Sequence, residues 1–167
     1  DLKAAVASLK AGVKAFNQML KVYSSKEVQY YMDGLLNNSS GIIAKALKPY
    51  TGHELQVEEY MDDGRKIQLK VHDKGGNWIF DFSGSGKVHK GNLNANASIV
   101  HSAIVYVLRL IANRDIPLNE GLMRLVKIII PESFLHPNFK DDPEKCPAVV
   151  GGNTEVSQRL VDTLNKA

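Results

Sequence analysis

Trp78-Ile79-Phe80-Asp81-Phe82, followed by Ser83-Gly84-Ser85-Gly86 and Gly91-Asn92-Leu93-Asn94, decides how this chain folds. Large apolar residues alternating from Trp78 predict a strand. The glycines and asparagines after it predict a tight turn. The apolar run Ile99 to Ile111 predicts a helix launched from that turn. Its surroundings close on Ile116-Pro117-Leu118-Asn119-Glu120-Gly121.

Working upstream, Glu54 to Phe82 has a period of two. Leu55 and Val57 alternate with polar residues, and so do Ile67, Leu69 and Val71. Asp62-Asp63-Gly64 and Lys74-Gly75-Gly76-Asn77 are turn signals, so the stretch predicts an antiparallel β-meander ending at Phe82. Before it, Leu2, Val6, Leu9, Val13, Phe16 and Leu20 step alternately by four and three. That is an apolar stripe on a long helix, with Lys3, Lys10, Lys14 and Lys21 largely off the stripe. Ser24 followed by Glu27 reads as a capping box opening a second helix, which Pro49 ends. A helical hairpin over residues 1–50, docked on the sheet, is the expected arrangement; a bare coiled coil is its rival.

Downstream, the helix from about Ser98 to Asn113 is apolar nearly all round, which predicts burial on more than one side. Leu125 to Ile130 reads as a buried strand. Pro131 to Pro147 reads as a surface loop. Gly151-Gly152-Asn153-Thr154 then opens a last helix carrying Val156, Leu160, Val161 and Leu164. The expectation is one α+β domain over 1–167, with sheet and helices in 51–167: hairpin, antiparallel β-meander, then helix–strand–helix packed on the sheet.

With 167 residues the chain is large enough for a real core, and 44% hydrophobic against 23% charged residues is ordinary for a globular domain. A net charge of +3 with no dense basic block points away from nucleic acid. The single Cys146 excludes an internal disulfide and fits a reducing, cytoplasmic setting. No apolar run is long enough for a membrane span. Asp1 leads straight into helical periodicity, so the chain reads as an internal piece of something longer.

Ser83-Gly84-Ser85-Gly86-Lys87 has the look of a phosphate loop. It fails the pattern, because Asp81 stands where a glycine is needed and Val88 where Ser or Thr is needed. Gly151-Gly152 would let a ligand approach the backbone at a helix start; a tight turn with an Asn153 or Thr154 cap is the favoured reading. Asn92, Asn94 and Asn119 fit turn chemistry, with orientation of a polar substrate as the alternative. The histidines show no metal spacing, and His101 reads as a hydrogen-bonded core residue. Cys146 reads as a spare thiol.

At Asp81-Phe82-Ser83-Gly84-Ser85, Gly91-Asn92-Leu93-Asn94-Ala95, Asp115 to Gly121 and Val149 to Arg159, the chain resembles the hydantoinase B/5-oxoprolinase family. The resemblance implies a subunit or fused half that works with a hydantoinase A-type, ATP-binding partner. The implied reaction is ATP-dependent opening of a cyclic amide, such as 5-oxoproline or an N-methylhydantoin, through a phosphorylated intermediate. Carboxylation of an acetone-type ketone is the alternative within the family, and a non-catalytic interface module for the A-type partner is a third reading. ATP with magnesium is expected on the partner, and a divalent metal outside this segment. The substrate-binding positions carried over by motif are Asp81, Asn92, Asn94, Asn119, Gly151, Gly152, Asn153, Thr154, Ser157 and Arg159. The resemblance also places a proline where Asn96 stands, which puts the expected start of the following helix in question.

Overall fold

The computed structural model describes residues 1–167. Two helices come first, α1 (Leu2–Val22) and α2 (Ser25–Leu47). A meander follows in β1 (Glu54–Tyr60), β2 (Lys66–Lys74) and β3 (Asn77–Asp81). Helix α3 (Ala97–Ala112), strand β4 (Val126–Ile129) and helix α4 (Glu155–Lys166) complete the α+β fold.

The sheet order is β1-β2-β3-β4, with the first two pairings antiparallel and the last parallel. Gly75 and Gly76 sit at φ +62° and +84°, the left-handed geometry that a two-residue hairpin turn requires. The alternation read from the sequence sets the faces: Ile67, Leu69 and Val71 of β2 and Trp78 and Phe80 of β3 all point into one core. Against them pack Val100, Ile104, Val107 and Leu108 of α3, Val156, Leu160 and Leu164 of α4, and Ile43 and Leu47 of α2. The two glycines of α2, Gly34 and Gly41, do not interrupt it.

Several expectations need correction. The stretch 131–147 is not all surface loop, since Phe134 and Leu135 are fully buried in the core. The stripe on α1 is not docked: the helix buries no residue, and Leu2, Leu9 and Val13 are 86%, 70% and 62% exposed. Tyr23 and Ser24 are both extended, which turns α1 away from the domain, and only the C-terminal half of α2 reaches the common core. Helix α3 is buried on one face only, with Tyr106 and Leu110 exposed on the other. Strand β4 is half-buried, as an edge strand beside β3. His101 is not in the core; it lies half-exposed, 3.7 Å from Glu120.

The capping box at Ser24 forms as expected. The Ser24 hydroxyl accepts from the Glu27 N–H at 3.2 Å, and the Glu27 carboxylate accepts from the Ser24 N–H at 2.9 Å. That backbone bond, then the Ser24 hydroxyl, holds the Glu27 carboxyl below its ordinary 4.5. A lowered folded value means the contribution is present above 4.5 and is lost as pH falls through the folded value. The first turn of α2 is therefore expected to fray on acidification, read from backbone NMR shifts of residues 25–28. Glu27→Gln should keep the turn formed across that range, because a neutral amide still completes the box.

Candidate functional site

Glycine and asparagine loops gather at the end of the sheet where β3 finishes. The Asp81 carboxylate accepts from the Ser83 N–H at 2.7 Å and turns the chain. Gly84 takes φ +92°, and the Gly86 N–H donates to the Lys66 carbonyl at 2.8 Å. Gly86 O in turn accepts from Phe134 N at 3.1 Å, and Phe134 O from Ala95 N at 2.7 Å. The Gly86 amide is thus committed to the sheet, and this turn does not offer the run of free N–H groups that a phosphate cradle needs.

Asn94 is fully buried at the centre of these loops. Its Oδ1 accepts from His89 N at 2.7 Å. Its Nδ2 donates to the carbonyls of His89 (3.0 Å), Gly91 (3.1 Å) and Ala148 (2.8 Å). One side chain therefore ties the 89–94 loop to the segment leading into α4. Gly151 and Gly152 complete the join. The Gly151 N–H donates to Asn92 O at 2.8 Å. A Cβ at Gly151 would lie 2.9 Å from Asn92 O, and one at Gly152 would lie 2.8 Å from Asn94 O. These glycines serve a backbone-to-backbone crossing within the protein.

Beside the crossing, α3 and α4 leave an open groove. Asn153, Ser157, Gln158 and Asp162 line one wall; Ser102 and Tyr106 line the other. The Ser157 hydroxyl donates to Thr154 O at 2.9 Å, while the Asn153 carboxamide makes no hydrogen bond within the chain. Thr154 precedes α4 without capping it by its side chain. Its hydroxyl bonds the Glu155 carboxylate instead, and that bond, followed by a backbone N–H, holds the Glu155 carboxyl below 4.5. The protein's own carboxylate thus sits where the start of α4 would favour an anion. Neither glycine loop fits a nucleotide polyphosphate.

The remaining motif residues lie elsewhere. Asn119 Oδ1 accepts from Gly121 N at 2.9 Å, and its Nδ2 donates to Ser39 Oγ at 3.0 Å, tethering the 119–123 turn to α2. Arg159 reaches over the β1–β2 turn, with Nη2 3.3 Å from Asp62 Oδ1. The structure therefore gathers Asn92, Asn94, Gly151, Gly152, Asn153 and Thr154, with Asp81 opening the same loop region, and leaves Asn119 and Arg159 apart. Asn96, for its part, caps α3 by accepting from Ile99 N at 3.2 Å. Cys146 Sγ bonds the Lys140 backbone and braces its own loop.

Ser102, Tyr106 and Gln158 line the groove without having stood out in the sequence. Tyr106, the polar-tipped interruption of the α3 apolar run, was the available signal. No group of three or more His, Cys, Asp or Glu residues is arranged to hold a metal ion. No helix is long and apolar enough to cross a membrane.

The family model described as Hydantoinase B/oxoprolinase matches residues 1–167. A 5-oxoprolinase of Saccharomyces cerevisiae is 36% identical over 99% of this chain, and one of Dictyostelium discoideum is 37% identical over 100%. An uncharacterized protein of Methanocaldococcus jannaschii is 30% identical over 100% of the chain and is covered over 29% of its own length. The chain spans 13% and 14% of the two 5-oxoprolinases. No solved structure matches it.

Proposed function

Because the chain belongs to the hydantoinase B/oxoprolinase family, we propose that it is one segment of an ATP-dependent hydrolase that opens a cyclic amide such as 5-oxoproline or an N-methylhydantoin. The observation that carries this reading is the match along all of 1–167, joined by relatives named 5-oxoprolinase that align with nearly every residue. ATP with magnesium, and the activating phosphoryl transfer, are assigned to a hydantoinase A-type subunit or fused half. No residue of this chain is given a part in that step, since its glycine loops are occupied by internal bonds.

This segment's part is to hold the ring. A cyclic amide presents its N–H and C=O side by side, and a primary carboxamide complements that pair with one acceptor and one donor. Of the motif asparagines, Asn94 and Asn119 spend their amides inside the protein. Asn92 and Asn153 keep free amides, and of the two it is Asn153 that lines the α3–α4 groove, with Ser157 beside it. Asn94, Gly151 and Gly152 act as positioning residues by fixing the loop that carries Asn153. Arg159 would have to leave Asp62 to meet a substrate carboxylate.

The test is ADP release by the complete polypeptide with its A-type partner. 5-Oxoproline or N-methylhydantoin is expected to stimulate it, and Asn153→Ala to lower kcat/KM by about tenfold, the worth of one or two hydrogen bonds. An unchanged kcat/KM would make Asn153 structural. Stimulation by a ketone with bicarbonate, and by neither ring, would move the chain to the carboxylase branch.

A further inference from the structure

Helix α1 is long, continuous and covered by nothing in this chain. Its apolar residues follow a strict alternation of four and three, with Leu2, Leu9 and Phe16 at one heptad position and Val6, Val13 and Leu20 at the other. A repeat of 3.5 is the seam of a left-handed coiled coil, and Val alternating with Leu suits a two-stranded one. A helix in a protein draws most of its stability from packing its amphipathic face, so the seam implies a packing partner.

The flanks say which partner. Lys3 and Lys10 border the seam on one side, and Lys14 and Lys21 follow on the same flank; the opposite flank carries Ala5, Gly12 and, at its end, Met19. No acidic residue lies between Leu2 and Val22. We propose that α1 docks by this seam onto an acidic amphipathic helix, whose carboxylates answer the lysine flank while its backbone approaches over Ala5 and Gly12.

A second copy of α1 does not suit. Antiparallel pairing sets lysine flank against lysine flank, and parallel pairing sets lysines against Ala and Gly, so every charge stays unanswered. A lipid surface favours a broad apolar face, whereas the large apolar residues here, Met19 and Val22 apart, keep to two heptad positions. The proposal rests on α1 alone, and the hydrolase reading stands or falls separately.

The experiment places a photo-crosslinking amino acid at Leu9 in the complete polypeptide with its A-type partner and identifies the adduct by mass spectrometry. The expected adduct is a heptad-patterned helix with Asp or Glu at its flanks. An adduct with α1 of a second copy, with lipid or with a basic segment overturns the proposal, and so does the absence of any peptide adduct. A second measurement uses the 167-residue chain and a synthetic Leu/Val-seam peptide, with either Glu or Lys flanks. The Glu peptide is expected to bind at least about tenfold more tightly and to slow α1 amide exchange, and Val13→Asp to abolish both effects without changing the melting of the core. Equal affinity for the two peptides overturns the charge argument.

Discussion

Replacing Asn94 with alanine is expected to cost about 3–5 kcal/mol in urea unfolding of the 167-residue chain, the largest loss from any single polar side chain. Asn94 is fully buried, and its amide serves His89 N, His89 O, Gly91 O and Ala148 O at once. Alanine leaves those groups without this partner in a part-buried site. Each is worth roughly 1 kcal/mol net, more where a donor is stranded. Domains of this size have about 5–15 kcal/mol in total, so the variant should melt roughly 10 °C lower. Asn94→Asp should be no better near neutral pH, since a carboxylate would face three carbonyl oxygens. In the complete polypeptide the loop bearing Asn153 should loosen as well and, under the proposed function, ring-stimulated ADP release should fall at temperatures where the variant remains folded. A loss under about 1 kcal/mol would mean the loops hold without this side chain.

Gly121→Ala is the second large effect, expected at about 3 kcal/mol by the same measurement. Here glycine's freedom of φ is not the issue; space is. A Cβ would lie 2.2 Å from Leu36 O and 2.9 Å from Leu36 C, both backbone atoms of α2 that no rotamer change can move. The 119–123 turn must therefore back away from α2, stretching the Asn119–Ser39 bond on the way. Gly41→Ala is the control. It lies within α2 with nothing within 4 Å of its Cβ position, and should stabilise the helix by about 0.5–1 kcal/mol. Should both substitutions behave alike, the close crossing at Gly121 would not be the cause.

What the sequence made legible was local. Gly64, Gly75 and Gly76 marked the meander's turns because positive φ is a property of single residues, and the Ser24–Glu27 box started α2 because capping spans one turn. The parallel pairing of β4 with β3 could not be read, since no residue of either strand encodes its partner. Gly121, Gly151 and Gly152 stood out as glycines, but the backbone each must clear belongs to Leu36, Asn92 and Asn94–Ala95. Asn94 read as a turn residue because one of its acceptors, Ala148, lies on a segment far along the chain. The α1 stripe was plain, and what covers it was not, because no element of these residues does so. Among the motif positions, the sequence named Asn153 but not its neighbours Ser102 and Tyr106, which come from a different helix.

The mixed sheet also sets an order in time. β1, β2 and β3 follow one another through short turns, so their pairings close small loops and form early. β4 reaches β3 only after all of α3 and its flanking loops have been laid down. The parallel pairing is thus the slow, non-local event. Until it happens the β3 edge stands open, and the loops that carry Asn94 and Asn153 have no floor to settle on. The meander is therefore expected to form first, and the groove to be completed after it.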